Sequence, residues 1–170
     1  LLVRWFEYGT FCPVMRLHGY RWPLQPQYGT TGGATCVSGA PNEVWSYTDQ
    51  VCEILSDYLR LRERMLPYIT ELMEEAHEKG TPVMRPLFYD FPEDKESWNV
   101  ETEYMFGPKV LVKPITDADA RETDVYLPGG ASWTNAWTGE TFEGGQKVHV
   151  AAPIEQIPLF TRDGYKLPMK

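Results

Sequence analysis

With 170 residues, 42% of them hydrophobic and 24% charged, the chain has the make-up of a globular, soluble protein, long enough for one domain or parts of two. A formal net charge of -8, with the acidic residues spread along the chain, argues against a phosphate backbone as partner, so no nucleic acid is expected. Cys12, Cys36 and Cys52 make no C-x-x-C pair and have no histidine at zinc-ligand spacing, so free thiols are expected, with no metal and no cofactor. No apolar run approaches the length that spans a bilayer and no charged-then-apolar leader opens the chain, so no membrane partner is expected either.

Residues 1–8, "LLVRWFEY", set apolar side chains at Leu1, Leu2, Trp5, Phe6 and Tyr8 in a helix-like pattern that Gly9 ends. "FCPVM" then predicts a short strand, with Pro13 near its start. That strand runs into Arg16 and His18, the latter one of only three histidines. Residues 19–44, with five Gly and three Pro, read as a long loop. From Ser46 to Lys79 the apolar positions follow the i, i+3, i+4 stripe of an amphipathic helix, which Pro67 should kink or break near Arg64 and Met65 and Gly80 should close. "TPVMRPLFYDF" predicts a second buried strand, and "WNVETEYMF" a short helix at best.

From Gly107 the texture changes to short strands, "KVLVKPI", "RETDVYLP", "SWTNAW", "KVHVAAP" and "IPLFTRDGYKLP", punctuated by Gly and Pro turns. Such a rhythm predicts an antiparallel β-sandwich, more nearly self-standing than what precedes it. The division falls near 98–108, giving residues 1–97 and 98–170. The first part alternates helix and strand in the manner of a parallel α/β fold, where sites gather on loops that follow strands. Two strands and two helices cannot close a barrel, so this part needs neighbours outside it.

"RWFEYGTFCPVMRLHG", "LRLRERMLPYI", "GTPVMRPLFYDFPED", "EYMFGPKVLVKPI", "YLPGGASWTNAWTGE" and "IPLFTRDG" resemble, in order and spacing, the C-terminal stretch of glycoside hydrolase family 31, which includes α-glucosidases and α-xylosidases. The resemblance implies an α/β part followed by an all-β part. Residues 1–97 would be the C-terminal portion of a (β/α)8 barrel, its seventh and eighth strand units, and residues 98–170 the proximal β-sandwich. It also implies retaining hydrolysis of terminal α-linked glucose or xylose from oligosaccharides by two aspartates that stand roughly 5 to 5.5 Å apart across the anomeric carbon. In the family both come from strands ahead of the segment resembling "RWFEYG", so no catalytic residue is expected among residues 1–170 and the chain by itself should be inactive. Between the two sugars, the expectation leans to an α-glucoside.

On the resemblance, His18 matches the histidine that follows the seventh strand and hydrogen-bonds a ring hydroxyl in the -1 subsite; without it, a rim histidine satisfied by a backbone carbonyl would be the simpler reading. Arg16, two residues earlier on the same strand face, is the second candidate substrate-binding residue, though bracing acidic neighbours is the more natural task for a guanidinium one layer deeper. Asp90 and Asp94 in "YDFPED" invite a catalytic assignment, but a turn that caps the next segment accounts for them better. Trp22 and Tyr28 could stack on an outer sugar or fold back on the loop. Trp133 and Trp137 read as sandwich core or as the seam against the barrel, Arg85 as structural, and His77 as a favourable charge at a helix C-terminus. Two rival readings are a non-catalytic carbohydrate-binding module and a structural subunit completing a partner barrel.

Overall fold

The computed structural model describes residues 1–17 and 21–169. Helix α1 (Leu2–Thr10) buries Val3, Phe6, Glu7 and Thr10, an i, i+3, i+4, i+7 face. It is not the face that the apolar letters suggest, since Leu1 and Trp5 are turned to solvent and a glutamate takes a core position. The strand expected at "FCPVM" does not form: the backbone turns and bends through residues 11–14 and continues irregularly. Pro13 has no N–H to give a ladder, and no neighbouring parallel strand is present among the described residues to receive one.

Helix α2 (Asp49–Arg64) starts at Thr48, whose hydroxyl accepts the Val51 N–H. Its inward face carries Ile54, Leu55, Tyr58 and Leu61. Met65 separates it from α3 (Leu66–Lys79), the break that Pro67 imposes by withholding a helical N–H. Gly80, at φ +70°, ends α3 in the left-handed conformation, its N–H bonded to the Ala76 carbonyl.

Only Met84–Arg85 of the second expected strand is extended; it forms β1, and Pro86 starts the one-turn helix α4 (Leu87–Asp90). The expected short helix at "WNVETEYMF" is a 3-10 turn at Lys95–Trp98 followed by strand β2 (Tyr104–Phe106). Then come β3 (Val110–Val112), β4 (Glu122–Leu127), β5 (Ser132–Asn135), β6 (Thr141–Glu143), β7 (Gln146–Ala151) and β8 (Leu159–Arg162). One six-stranded sheet has the order β1-β2-β3-β8-β5-β6, and β4 pairs with β7 in a second, two-stranded sheet; every pairing is antiparallel.

The larger sheet is covered on both faces, which explains why β3 reads as an unbroken Val-Leu-Val. Phe106, Val110, Val112 and Leu159 point toward α1, α2 and α3, while Met105, Leu111, Trp133 and Phe160 point toward Val125, Leu127, Val148 and Val150 of the small sheet. The antiparallel sandwich is therefore present, and the helices share a core with one of its faces. Before β1 the chain takes the form of helices and loops, and the parallel α/β pairing expected of residues 1–97 is not seen: β1 is antiparallel to β2 and no parallel pair occurs among the described strands.

Candidate functional site

The segment that leads to Arg16 is held by its carbonyl groups. Arg62, in the last turn of α2, donates through Nη1 to Thr10 O at 2.6 Å and Cys12 O at 2.8 Å, and through Nη2 to Pro13 O at 3.0 Å. The hydroxyl of Tyr104 donates to Phe11 O at 3.0 Å. Four successive carbonyls are thus bonded to side chains, where a strand would have used a neighbouring backbone. Phe11 anchors the same stretch from below, wholly buried and edge-on to Phe106.

Beyond this anchored stretch the chain emerges at the surface. Arg16 is exposed and lines a hollow of about 470 Å³ with Trp5, Tyr8, Val14, Leu17 and Asn42. A second hollow, about 580 Å³, adjoins it through Leu17 and Asn42 and is walled by Tyr28, Glu43 and Trp45. His18 lies outside the described residues. Arg21 organises the loop that follows: its guanidinium bonds the Pro41 and Ser46 carbonyls and lies 4.5 Å over the Tyr47 ring. Trp22 and Tyr28 do not fold back on the loop but stand 78% and 75% exposed. Glu43 is the carboxylate on this rim; hydrogen bonds from its own backbone N–H and from the Ser46 hydroxyl hold it below the usual carboxylate range.

The carboxylates elsewhere serve the architecture. Asp90 is paired with the buried Arg85 at 3.1 Å, and burial raises its pKa. Arg85 also faces Glu75 at 3.6 Å and donates to the Pro82 carbonyl at 2.7 Å. Asp94 accepts from the Glu96 N–H, the Gly129 N–H and the Tyr126 hydroxyl, tying the 3-10 turn to β4. Burial works to raise its pKa, yet these hydrogen bonds together bring it below the ordinary value. Trp133 is core, with its indole N–H on Pro128 O, and Trp137 bonds Ile157 O at the seam with α2. His77 sits in the last turn of α3, as its position implied. Among the described residues no group of three or more His, Cys, Asp or Glu is gathered to hold a metal, and no helix is long and apolar enough to cross a membrane.

Two buried acids, Glu7 and Glu103, went unrecognised in the sequence. Glu7 has no solvent exposure; its Oε2 accepts from Arg4 at 3.0 Å and its Oε1 from the Tyr58 hydroxyl at 3.3 Å. Arg4 spreads its remaining donors over the carbonyls of Ala120, Ala152, Pro153 and Gln156, and Tyr58 bonds Ile157 N and Glu155 O. This network fastens α1 and α2 to the loops beside β7 and β8.

Residues 1–72 match the TIM-barrel domain of glycosyl hydrolases family 31, and residues 80–167 match the family 31 C-terminal domain. The chain belongs to glycoside hydrolase family 31. Among its relatives, an α-xylosidase of Saccharolobus solfataricus is 37% identical over 169 residues, covering 99% of this chain and 21% of the relative. An α-glucosidase of Bacillus thermoamyloliquefaciens is 36% identical, covering 96% of this chain and 19% of its own length. A solved family 31 α-xylosidase from a soil metagenome, complexed with xylose, superposes with a TM-score of 0.91 at 45% identity, covering 98% of this chain and 25% of that one. The family 31 segment in hand thus spans about a quarter or less of these relatives.

Proposed function

We propose that residues 1–170 are the barrel end and following β-sandwich of a retaining α-glycosidase that removes terminal α-linked xylose from oligosaccharides, with its catalytic aspartate pair on barrel strands outside this segment. The observation that carries the reading is that the two family 31 domains occur here side by side and in order. The exposed apolar side chains of the first 45 residues, among them Trp5, Val14, Trp22 and Trp45, support it, because a surface of this kind is one that further barrel strands would cover. In this reading His18 and Arg16 bind substrate, His18 at the sugar nearest the cleaved bond, and the parts meet between residues 97 and 108. Identity of 45% to a solved α-xylosidase favours xylose over the glucose to which the sequence leaned.

The test is hydrolysis of nitrophenyl α-xyloside and α-glucoside by the longer protein that contains this segment, with the product anomer followed by NMR. The proposal expects faster turnover of the xyloside and first release of the α-anomer. Release of the β-anomer would refute a retaining mechanism, and an absence of turnover on both would refute the glycosidase reading. Residues 1–170 alone should hydrolyse neither.

A further inference from the structure

The loop over residues 21–47 is fastened by hydrogen bonds of its own. Besides the bonds that the Arg21 guanidinium gives to the Pro41 and Ser46 carbonyls, the Arg21 carbonyl accepts the Ala40 N–H at 2.8 Å. Gln25 and Ser38 exchange backbone hydrogen bonds, and the Tyr28 N–H donates to Ala34 O at 3.1 Å. The 3-10 turn Val44–Ser46 carries Trp45 and is closed by the Ser46 N–H on Glu43 O at 2.9 Å. This loop and Leu59 of α2 shape the hollow of about 580 Å³, a size that suits a small ligand. Tyr28 and Trp45 line it and are largely exposed, so their rings are open to a ligand. Asn42 and Glu43 line it too. The Asn42 Oδ1 is taken by the Tyr47 hydroxyl, which leaves its amide N–H groups to offer as donors, while Glu43 offers carboxylate oxygens as acceptors. Among the described residues that line the hollow none is basic.

We propose that this hollow is a sugar-binding subsite, which takes a neutral oligosaccharide through the Tyr28 and Trp45 rings and the Asn42 and Glu43 side chains. The inference rests on the reading of the chain as part of a glycosidase acting on oligosaccharides, and it names a place where a further sugar is held. A sugar ring offers C–H groups on its faces and hydroxyls at its edge that both donate and accept. Aromatic walls beside an amide donor and a carboxylate acceptor meet both needs. An anionic ligand would meet the Glu43 carboxylate with no basic side chain in the lining to offset it. A cationic one would leave the Asn42 donors without an acceptor.

The experiment is calorimetric titration of the longer protein with cellotetraose, a neutral tetrasaccharide whose β-linkages an α-glycosidase leaves intact. It compares wild type with Tyr28→Ala, Trp45→Ala and Glu43→Gln, with a thermal melt of each. Wild type should bind, and each variant should bind about 10-fold more weakly, as the loss of a central aromatic or charged contact does at a recognition site. On an oligosaccharide with terminal α-linked xylose, the same variants should raise KM far more than they lower kcat, the mark of binding lost equally from ground state and transition state. No binding by wild type, or binding unaltered in all three variants, would overturn the proposal. So would lowered melting temperatures for Tyr28→Ala and Trp45→Ala with binding intact, which would show the rings packed against another part of the longer protein. Should Trp45→Ala not fold, Tyr28→Ala and Glu43→Gln decide by the same criterion. Cellotetraose binding needs no turnover: a longer protein that binds it through these residues yet hydrolyses neither nitrophenyl glycoside would refute the glycosidase reading alone, and one that hydrolyses the xyloside but fails the titration would refute the subsite alone.

Discussion

Replacing Glu7 by glutamine tests whether a buried acid at the seam makes stability depend on pH. Burial raises the Glu7 pKa from an ordinary 4.5 to about 7, against the lowering effects of Arg4 and Tyr58. The folded protein then binds more protons than the unfolded chain between those two values, so stability is greatest below 4.5, declines as pH rises toward 7, and levels off above it. At about 1.4 kcal/mol per pH unit, that gap corresponds to about 3 kcal/mol. Glutamine stays neutral, can still accept from Arg4, and can donate to the Tyr58 oxygen. Urea unfolding of wild type and Glu7→Gln at pH 4.5 and pH 8 should therefore show wild type losing about 3 kcal/mol more than the variant across that range. Parallel pH profiles would refute the reasoning, and a wild type that gains stability relative to the variant as pH rises would reverse it, pointing to an ionised Glu7 held by Arg4.

Gly107→Ala should destabilise by about 2 to 5 kcal/mol, because φ is +60° and a Cβ there would run into the Tyr68 hydroxyl and the Leu72 side chain. Gly164→Ala, at φ +74° with open space around it, should cost only the strain, about 1 to 2 kcal/mol; equal losses in thermal melts would contradict the packing argument. A polypeptide of residues 108–170 should bind a hydrophobic dye and unfold without cooperativity, because it lacks β1, β2 and the helices that cover Val110, Val112 and Leu159. A sharp, dye-free melt would show that the sandwich stands alone.

The sandwich was readable because its turns are written in Gly and Pro and its strands in alternating residues; even so, β6 at Thr141–Glu143, exposed at both ends, left no mark in the pattern. The helix break was readable from Pro67 alone. The strand at "FCPVM" was misread because an apolar run says nothing of whether a neighbouring strand is there to pair with, and here Arg62 and Tyr104 take its carbonyls. Glu7 and Arg4 were invisible for a related reason. A charged letter in a helix is ordinarily assigned to water, and only the meeting of α1, α2 and the loops near residues 120 and 152–157 makes a buried ion pair possible. The candidate site could be named from the sequence as a polar pair before a long loop, and Asp90 and Asp94 make the packing and turn contacts that the simpler reading of them implies. Arg62 was not singled out, because a surface-type arginine beside an apolar stripe gives no sign of the distant carbonyls it holds.

The central claim, that this segment supplies a sugar-contacting histidine to a glycosidase whose acids lie elsewhere, is tested most directly by His18→Ala in the longer protein. A donor to a ring hydroxyl strengthens as the sugar flattens toward the transition state, and its removal should lower kcat/KM by about 10²- to 10³-fold, much of it in kcat, with the melting temperature little changed. Near-native kcat with a clearly lowered melting temperature would contradict the account and return His18 to a purely structural role.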